Sequence, residues 1–76
     1  LIDFDQEIER LEKEETRLTK EIARAEGMLN NEKFVSKAPE AKVQEERDKL
    51  ETYRQMMEQV QERLEGLKAK RENQDS

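Results

Sequence analysis

The stretch Asn30-Asn31-Glu32-Lys33-Phe34-Val35-Ser36-Lys37-Ala38-Pro39-Glu40 decides the fold, because it interrupts two long runs of helical pattern. Before it, the apolar residues Leu1, Phe4, Ile8, Leu11, Leu18, Ile22, Ala25 and Leu29 recur at spacings of three and four, with Glu15 the polar intruder. After it, Val43, Leu50, Tyr53, Met57, Val60, Leu64 and Leu67 do the same, with Glu46 the intruder. Both series are a/d heptad seams. They predict one helix over about 1–30 and a second over about 39–68, each roughly 45 Å long at ~1.5 Å per residue. Residues 31–38 then form the tip of a chain that folds back on itself. Asn31 suits the cap of a short helical turn, and Pro39 suits the first turn of the second helix, where its missing N–H is harmless. Phe34, Val35, Ala38 and Val43, with Leu29, are expected to form a small apolar plug. Phe34 either closes the hairpin or stacks on a base, and both readings stay open.

Periodicity is what makes this composition foldable. Charged residues make up 46% of the 76 and apolar ones 32%, with no Trp, so a globular core is out of reach and only a narrow seam is available. The chain opens on Leu1, a seam position, without an initiator Met or a capping residue, so it is expected to be a segment of a longer polypeptide. There is no Cys and no His, which excludes disulfides, zinc sites and thiol or imidazole catalysis in these residues. No apolar run approaches the ~18 residues of a membrane span, and no signal-peptide pattern is present, so the expected location is cytoplasmic, with no membrane contact.

The charges beside the seams select the partner. The first seam is bordered by Asp5, Glu7, Glu12, Glu14, Glu21 and Glu26, the second by Arg47, Lys49, Arg54, Arg63, Lys68 and Lys70. Pairing the first helix with itself would set like charges face to face, whereas pairing it with the second neutralises both borders. The expected fold is therefore all-α, a monomeric antiparallel coiled-coil hairpin made by one chain. The preferred register sets Ile8 by Leu67, Leu11 by Leu64, Leu18 by Met57, Ile22 by Tyr53 and Ala25 by Leu50. Residues 69–76 are expected to be a polar, frayed C-terminal tail.

The net charge of −5 is unevenly spread. Residues 1–15 carry seven acids and two bases, residues 16–44 four acids and six bases, and residues 45–76 nine acids and seven bases. Within the first helix Arg10, Lys13, Arg17, Lys20 and Arg24 follow one another at steps of three and four on outward heptad positions, and Lys33 and Lys37 continue the row. Such a stripe is either a solvated face balanced by neighbouring glutamates or a ridge for RNA phosphates. Chemistry is not indicated. A bare hairpin has no cleft in which two carboxylates of contrasting environment converge, and Gly27 and Gly66 are isolated rather than part of a phosphate loop. Ser36 has no base beside it, and Glu45, Glu46 and Asp48 lack calcium-loop spacing.

Several stretches resemble the C-terminal arm of bacterial valyl-tRNA synthetases. The helical matches are Leu1-Ile2-Asp3-Phe4-Asp5, Arg10-Leu11-Glu12-Lys13-Glu14, Lys20-Glu21-Ile22-Ala23-Arg24 and Glu45-Glu46-Arg47-Asp48-Lys49-Leu50. More specific is Leu29 through Pro39, which follows that family's tip pattern of leucine, a small polar residue, Asn-Glu-x-Phe, an aliphatic, two residues and Ala-Pro. The resemblance covers residues 1 to about 68 and departs at Asn30, where serine is commoner, and at Glu15. It implies an arm that contacts the outer corner of the tRNA L, where the D and T loops meet. The parent enzyme would use ATP and Mg to activate valine elsewhere; no catalytic or metal residue carries over to this segment. The RNA-binding residues it implies are Arg17, Lys20, Arg24, Lys33 and Lys37. A spacer or protein-interaction hairpin without an RNA role is the alternative, and the arm of seryl-tRNA synthetases is a second.

Overall fold

The computed structural model describes residues 3–75. Leu1, at the head of the first seam, and Ser76, in the expected tail, lie outside the described residues. The rest is helical and extended, 57 × 17 × 14 Å. Helix α1 spans Phe4–Leu29, α2 Glu32–Lys37 and α3 Glu40–Asp75. At ~1.5 Å per residue the 36 residues of α3 account for the long axis almost alone.

Helix α1 begins at Phe4 because Asp3 caps it. The Asp3 carboxylate accepts a hydrogen bond from the Gln6 N–H at 3.1 Å, satisfying a donor that the first turn leaves without a partner. The sequence reading, which put the helix start at Leu1 with no capping residue, missed this. At the other end, the turn uses no left-handed residue, and none occurs among the described residues. Two extended positions bend the chain instead, Asn31 (φ −86°, ψ 109°) and Ala38 (φ −74°, ψ 149°). Asn31 caps α2 by accepting from the Lys33 N–H at 3.0 Å, as expected. Ala38 is extended because the Pro39 ring excludes the helical conformation from the residue before it. The Pro39 carbonyl then accepts from Lys42 and Val43, opening α3 one residue later than expected.

Helix α1 packs along α3, and for Asp5, Glu12 and Glu26 the partners on α3 fall in number as those on α1 rise, while Glu7 finds its partner on the other flank. Asp5 meets Arg71 at 2.9 Å, Glu7 meets Arg63 at 3.8 Å, Glu12 meets Lys68 at 3.6 Å and Glu26 meets Arg54 at 3.2 Å. Ile8, Leu11 and Leu64 form a buried cluster, with Phe4, Val60 and Leu67 packed against it. Leu18, Ala25, Val43 and Leu50 continue the line of buried side chains, and Leu18 has no exposed surface at all. Among the described residues, no helix is long and apolar enough to cross a membrane.

Two expectations need correction. The second helix does not stop near residue 68 but runs to Asp75, since Ala69, Lys70, Arg71 and Glu72 are helix formers with no Gly or Pro to stop them, and Arg71 is tied to Asp5. Val35 is not in the plug: it stays 38% exposed, while Phe34 and Ala38 are half-buried and Val43 is buried. Positions 34 and 38 are four apart and share one face of the chain, whereas 35 points about 100° away. Glu46, an intruder in the seam, is 8% exposed, with Lys49 Nζ 3.5 Å from its carboxylate.

Replacing Leu18 with Ala should cost about 2–5 kcal/mol, a large share of the total for a chain this short, and thermal melting will measure it. Glu46→Leu should act in the opposite sense, raising the melting temperature by about 4–8 °C for each kcal/mol gained as a buried charge gives way to an apolar seam residue. Arg54→Glu should lower the melting temperature in dilute buffer, and adding Glu26→Arg should restore part of the loss. Both effects should shrink in high salt, as exposed pairs worth ~0.2–1 kcal/mol require.

Candidate nucleic-acid interface

The seven bases of the stripe fall into two groups. Arg10 pairs with Glu7, Lys13 with Glu9 at 3.4 Å, and Arg17 with Glu14, all within α1. These pairs leave their mark on titration. The hydrogen bond from Arg10 holds the Glu7 carboxyl below the usual glutamate range, and the one from Arg17 does the same for Glu14. Arg17 is raised in turn, by its hydrogen bond to Glu14 first and then by the charge of that carboxylate. Lys20, Arg24, Lys33 and Lys37 differ: among the described residues none of the four has a carboxylate within ion-pair distance.

The cause lies in the sequence around them. A glutamate stands three residues before Arg10 and Arg17 and four before Lys13, so each base reaches back to a carboxylate on its own face. Thr16 and Ala23 occupy the neighbouring row beside Lys20, and Glu21, three before Arg24, is not within ion-pair distance of it. Arg24 lines a small hollow between the helices with Glu21, Ala25, Glu46, Lys49 and Tyr53. Lys33 and Lys37 stand one turn apart on α2, both exposed, and Lys33 borders a shallow depression with Leu29, Asn30, Glu32, Val35 and Ser36.

Arg47 joins this group, and the sequence reading placed it elsewhere, in the border that neutralises α1. The border pairs Glu12 with Lys68 and Glu26 with Arg54. One heptad further, Arg47 would meet position 33, but α1 ends at Leu29 and position 33 is a lysine on α2. Arg47 is therefore exposed without an acidic partner among the described residues. Extending the border pairing by one step reveals it from sequence.

The charge along the chain also reads differently once folded. With Leu11 against Leu64 in the seam, residues 45–59 lie beside 16–30, so the half of the molecule that contains α2 comprises residues 16–59. That half carries nine acids and nine bases, a net of zero rather than positive, and the whole −5 resides in the other half. What distinguishes the α2 half is the state of five of its nine bases, Lys20, Arg24, Lys33, Lys37 and Arg47, exposed and without acidic partners among the described residues, rather than an excess of them. Among the described residues no cluster of three or more His, Cys, Asp or Glu side chains could hold a metal ion.

The family described as the valyl tRNA synthetase tRNA binding arm matches residues 3–68. A valine–tRNA ligase of Clostridium perfringens is 57% identical over 67 residues, which is 88% of this chain and 8% of that protein. Those of Listeria innocua and Clostridium acetobutylicum are 56% and 52% identical over 68 residues, 90% of this chain and again 8% of theirs. The chain thus spans about 8% of the length of these relatives. No solved structure matches. A seam with no cleft, free bases gathered at the turn, and a family match over most of the chain agree: this chain belongs to the family of valyl-tRNA synthetase tRNA-binding arms.

Proposed function

We propose that this chain is the tRNA-binding arm of a valine–tRNA ligase, built as an antiparallel coiled-coil hairpin and acting as a monomer. Its α2 end rests against the outer corner of the L, where the D and T loops meet, and steadies the tRNA while the parent enzyme works elsewhere. Valine activation, with ATP and Mg, belongs to the rest of that enzyme, in the cytoplasm. In this reading Lys20, Arg24, Lys33 and Lys37 supply the phosphate contacts, with Arg47 beside them. Arg17 takes part by exchanging Glu14 for a phosphate.

The observation that carries this reading is the division of the basic stripe. A stripe that served only to solvate a face would be neutralised along its whole length, as it is at Arg10, Lys13 and Arg17. The four bases of the stripe nearest the turn are, among the described residues, left without acidic partners. Free bases bind phosphate without first breaking an internal ion pair, and each phosphate bound releases condensed counterions from the RNA. Backbone contacts of this kind position the nucleic acid and carry no base code.

A variant with Lys20, Arg24, Lys33 and Lys37 all changed to Gln should bind folded tRNA more weakly, whatever its sequence. Each lost contact should lower the magnitude of the salt slope by roughly 0.7–0.9, measured by titration at two salt concentrations. Changing Arg10 and Lys13 to Gln should leave the slope near its original value, since those two are held by Glu7 and Glu9. Unchanged affinity in the four-fold variant returns the stripe to a solvated face on a spacer.

A further inference from the structure

The two long flanks of the rod, left and right of the plane that contains α1 and α3, are not electrically equivalent. One flank carries Arg17 and Arg24 from α1 together with Lys49, Thr52 and Gln59 from α3. The hollow that Arg24 shares with Lys49 and Tyr53 joins the two helices there, and a neighbouring hollow lined by Glu45, Asp48, Lys49, Thr52 and Tyr53 extends the surface along α3, with the Asp48 carboxylate accepting from Gln44 Nε2 at 3.0 Å. Its acids are engaged or flanked: Glu14 is paired with Arg17, Glu45 lies 3.4 Å from both Lys42 and Lys49, and Glu21 shares the hollow with Arg24 and Lys49. Thr52 and Gln59, on the outer row of α3, are uncharged and exposed.

The opposite flank holds the ion pairs Glu26–Arg54 and Glu12–Lys68. Beside them runs a row at seven-residue spacing, Glu51, Glu58, Glu65 and Glu72. Each stands three or four residues from Arg54 or Lys68, which fixes the row on that side of α3. All four are exposed and, among the described residues, none has a base within ion-pair distance. A phosphate backbone set against this row would meet four free carboxylates, with Arg54 and Lys68 already taken and Arg47, one heptad before Arg54 and level with the end of α1, the free base on that side among the described residues.

Resting on the tRNA-arm reading, we infer that beyond the α2 end, where Arg47 stands, the RNA backbone approaches one flank of the rod only, the side of Arg17, Arg24, Lys49 and Thr52, and that the acidic row on the other side fixes the roll of the arm about its long axis. The α2 half is neutral as a whole, so its end alone would not set that angle; the difference between flanks does. Charge repulsion across the wrong face discriminates between orientations just as it does between partners. On that side of α3, Thr52 and Gln59 form the outer row beyond Lys49, and neither carries a charge of its own.

The test places one lysine at the same level of the rod on either flank. Thr52→Lys lies on the inferred RNA side, and Ala23→Lys lies on the other; both sites are exposed on helices. Each new lysine has one carboxylate within reach on its own helix, Asp48 or Glu26, so their surroundings are matched. The 76-residue chain and both variants are titrated with folded tRNA between about 50 and 200 mM salt. Thr52→Lys should steepen the salt slope by roughly 0.7–0.9, an added threefold or so change in affinity across that range, and Ala23→Lys should leave the slope unchanged. Gln59→Lys and Thr16→Lys, two turns further from α2, repeat the comparison should either first variant lose helix content. Equal steepening on both flanks overturns the inference and leaves the arm reading standing, as does no steepening on either. Absence of salt-dependent binding by the unaltered chain overturns the arm reading itself.

Discussion

A line of contact one or two side chains wide, centred on the fully buried Leu18, is the constraint on which the rest of this molecule depends. Ile8, Leu11, Ala25, Val43, Leu50 and Leu64 complete it, and among the described residues no second apolar layer lies behind them. A chain with 46% charged residues can bury no more than this, so α1 and α3 must lie along each other for most of their length to accumulate enough contact. Every functional group is consequently on an outer surface. The hollows among the described residues are open ones on the surface of the rod.

The turn obeys the same economy of parts. With no glycine between Gly27 and Gly66, and with Asn30 and Asn31 both at negative φ (−85° and −86°), the chain reverses without a left-handed residue and inserts α2 between two extended positions instead. This separates the ends of the long helices and presents Lys33 and Lys37 on a six-residue segment whose capping and exit are both specified, by Asn31 and by Pro39. The seam ends before α2 does. That mismatch is what strands Arg47, whose counterpart on α1 does not exist.

Much of this was legible in the sequence because it is periodic. Heptad spacing located both long helices, the charge borders named the partners that the ion pairs Glu26–Arg54 and Glu12–Lys68 display, and Asn31 and Pro39 announced the turn. Features that depend on a single local bond were harder to see. Asp3 caps α1 through one hydrogen bond, and three residues of flanking sequence give little pattern to read. The extent of α3 beyond residue 68 follows from the reach of Arg71 to Asp5, a contact between positions 66 residues apart. Val35 reads as a plug residue from its apolar character alone, but a one-and-a-half-turn helix has room for a single inward face. The division of the basic stripe could have been read from the glutamates three or four residues upstream. The neutral balance of the α2 half could not, since it requires knowing which part of α3 lies beside which part of α1.

That balance has a consequence for how the rod behaves before it touches anything. Its excess negative charge sits at one end of a 57 Å body and its neutral half at the other, so the molecule is an electrical arrow. In the field of a polyanion the charged tail is pushed away while the head is not, and the resulting torque turns the rod head-first. Screening confines that torque to separations of about 8 Å at physiological salt, so the turn happens late, in the last moments of encounter. Diluting the salt lengthens its reach. A rod whose total charge repels a polyanion is thereby pointed at it.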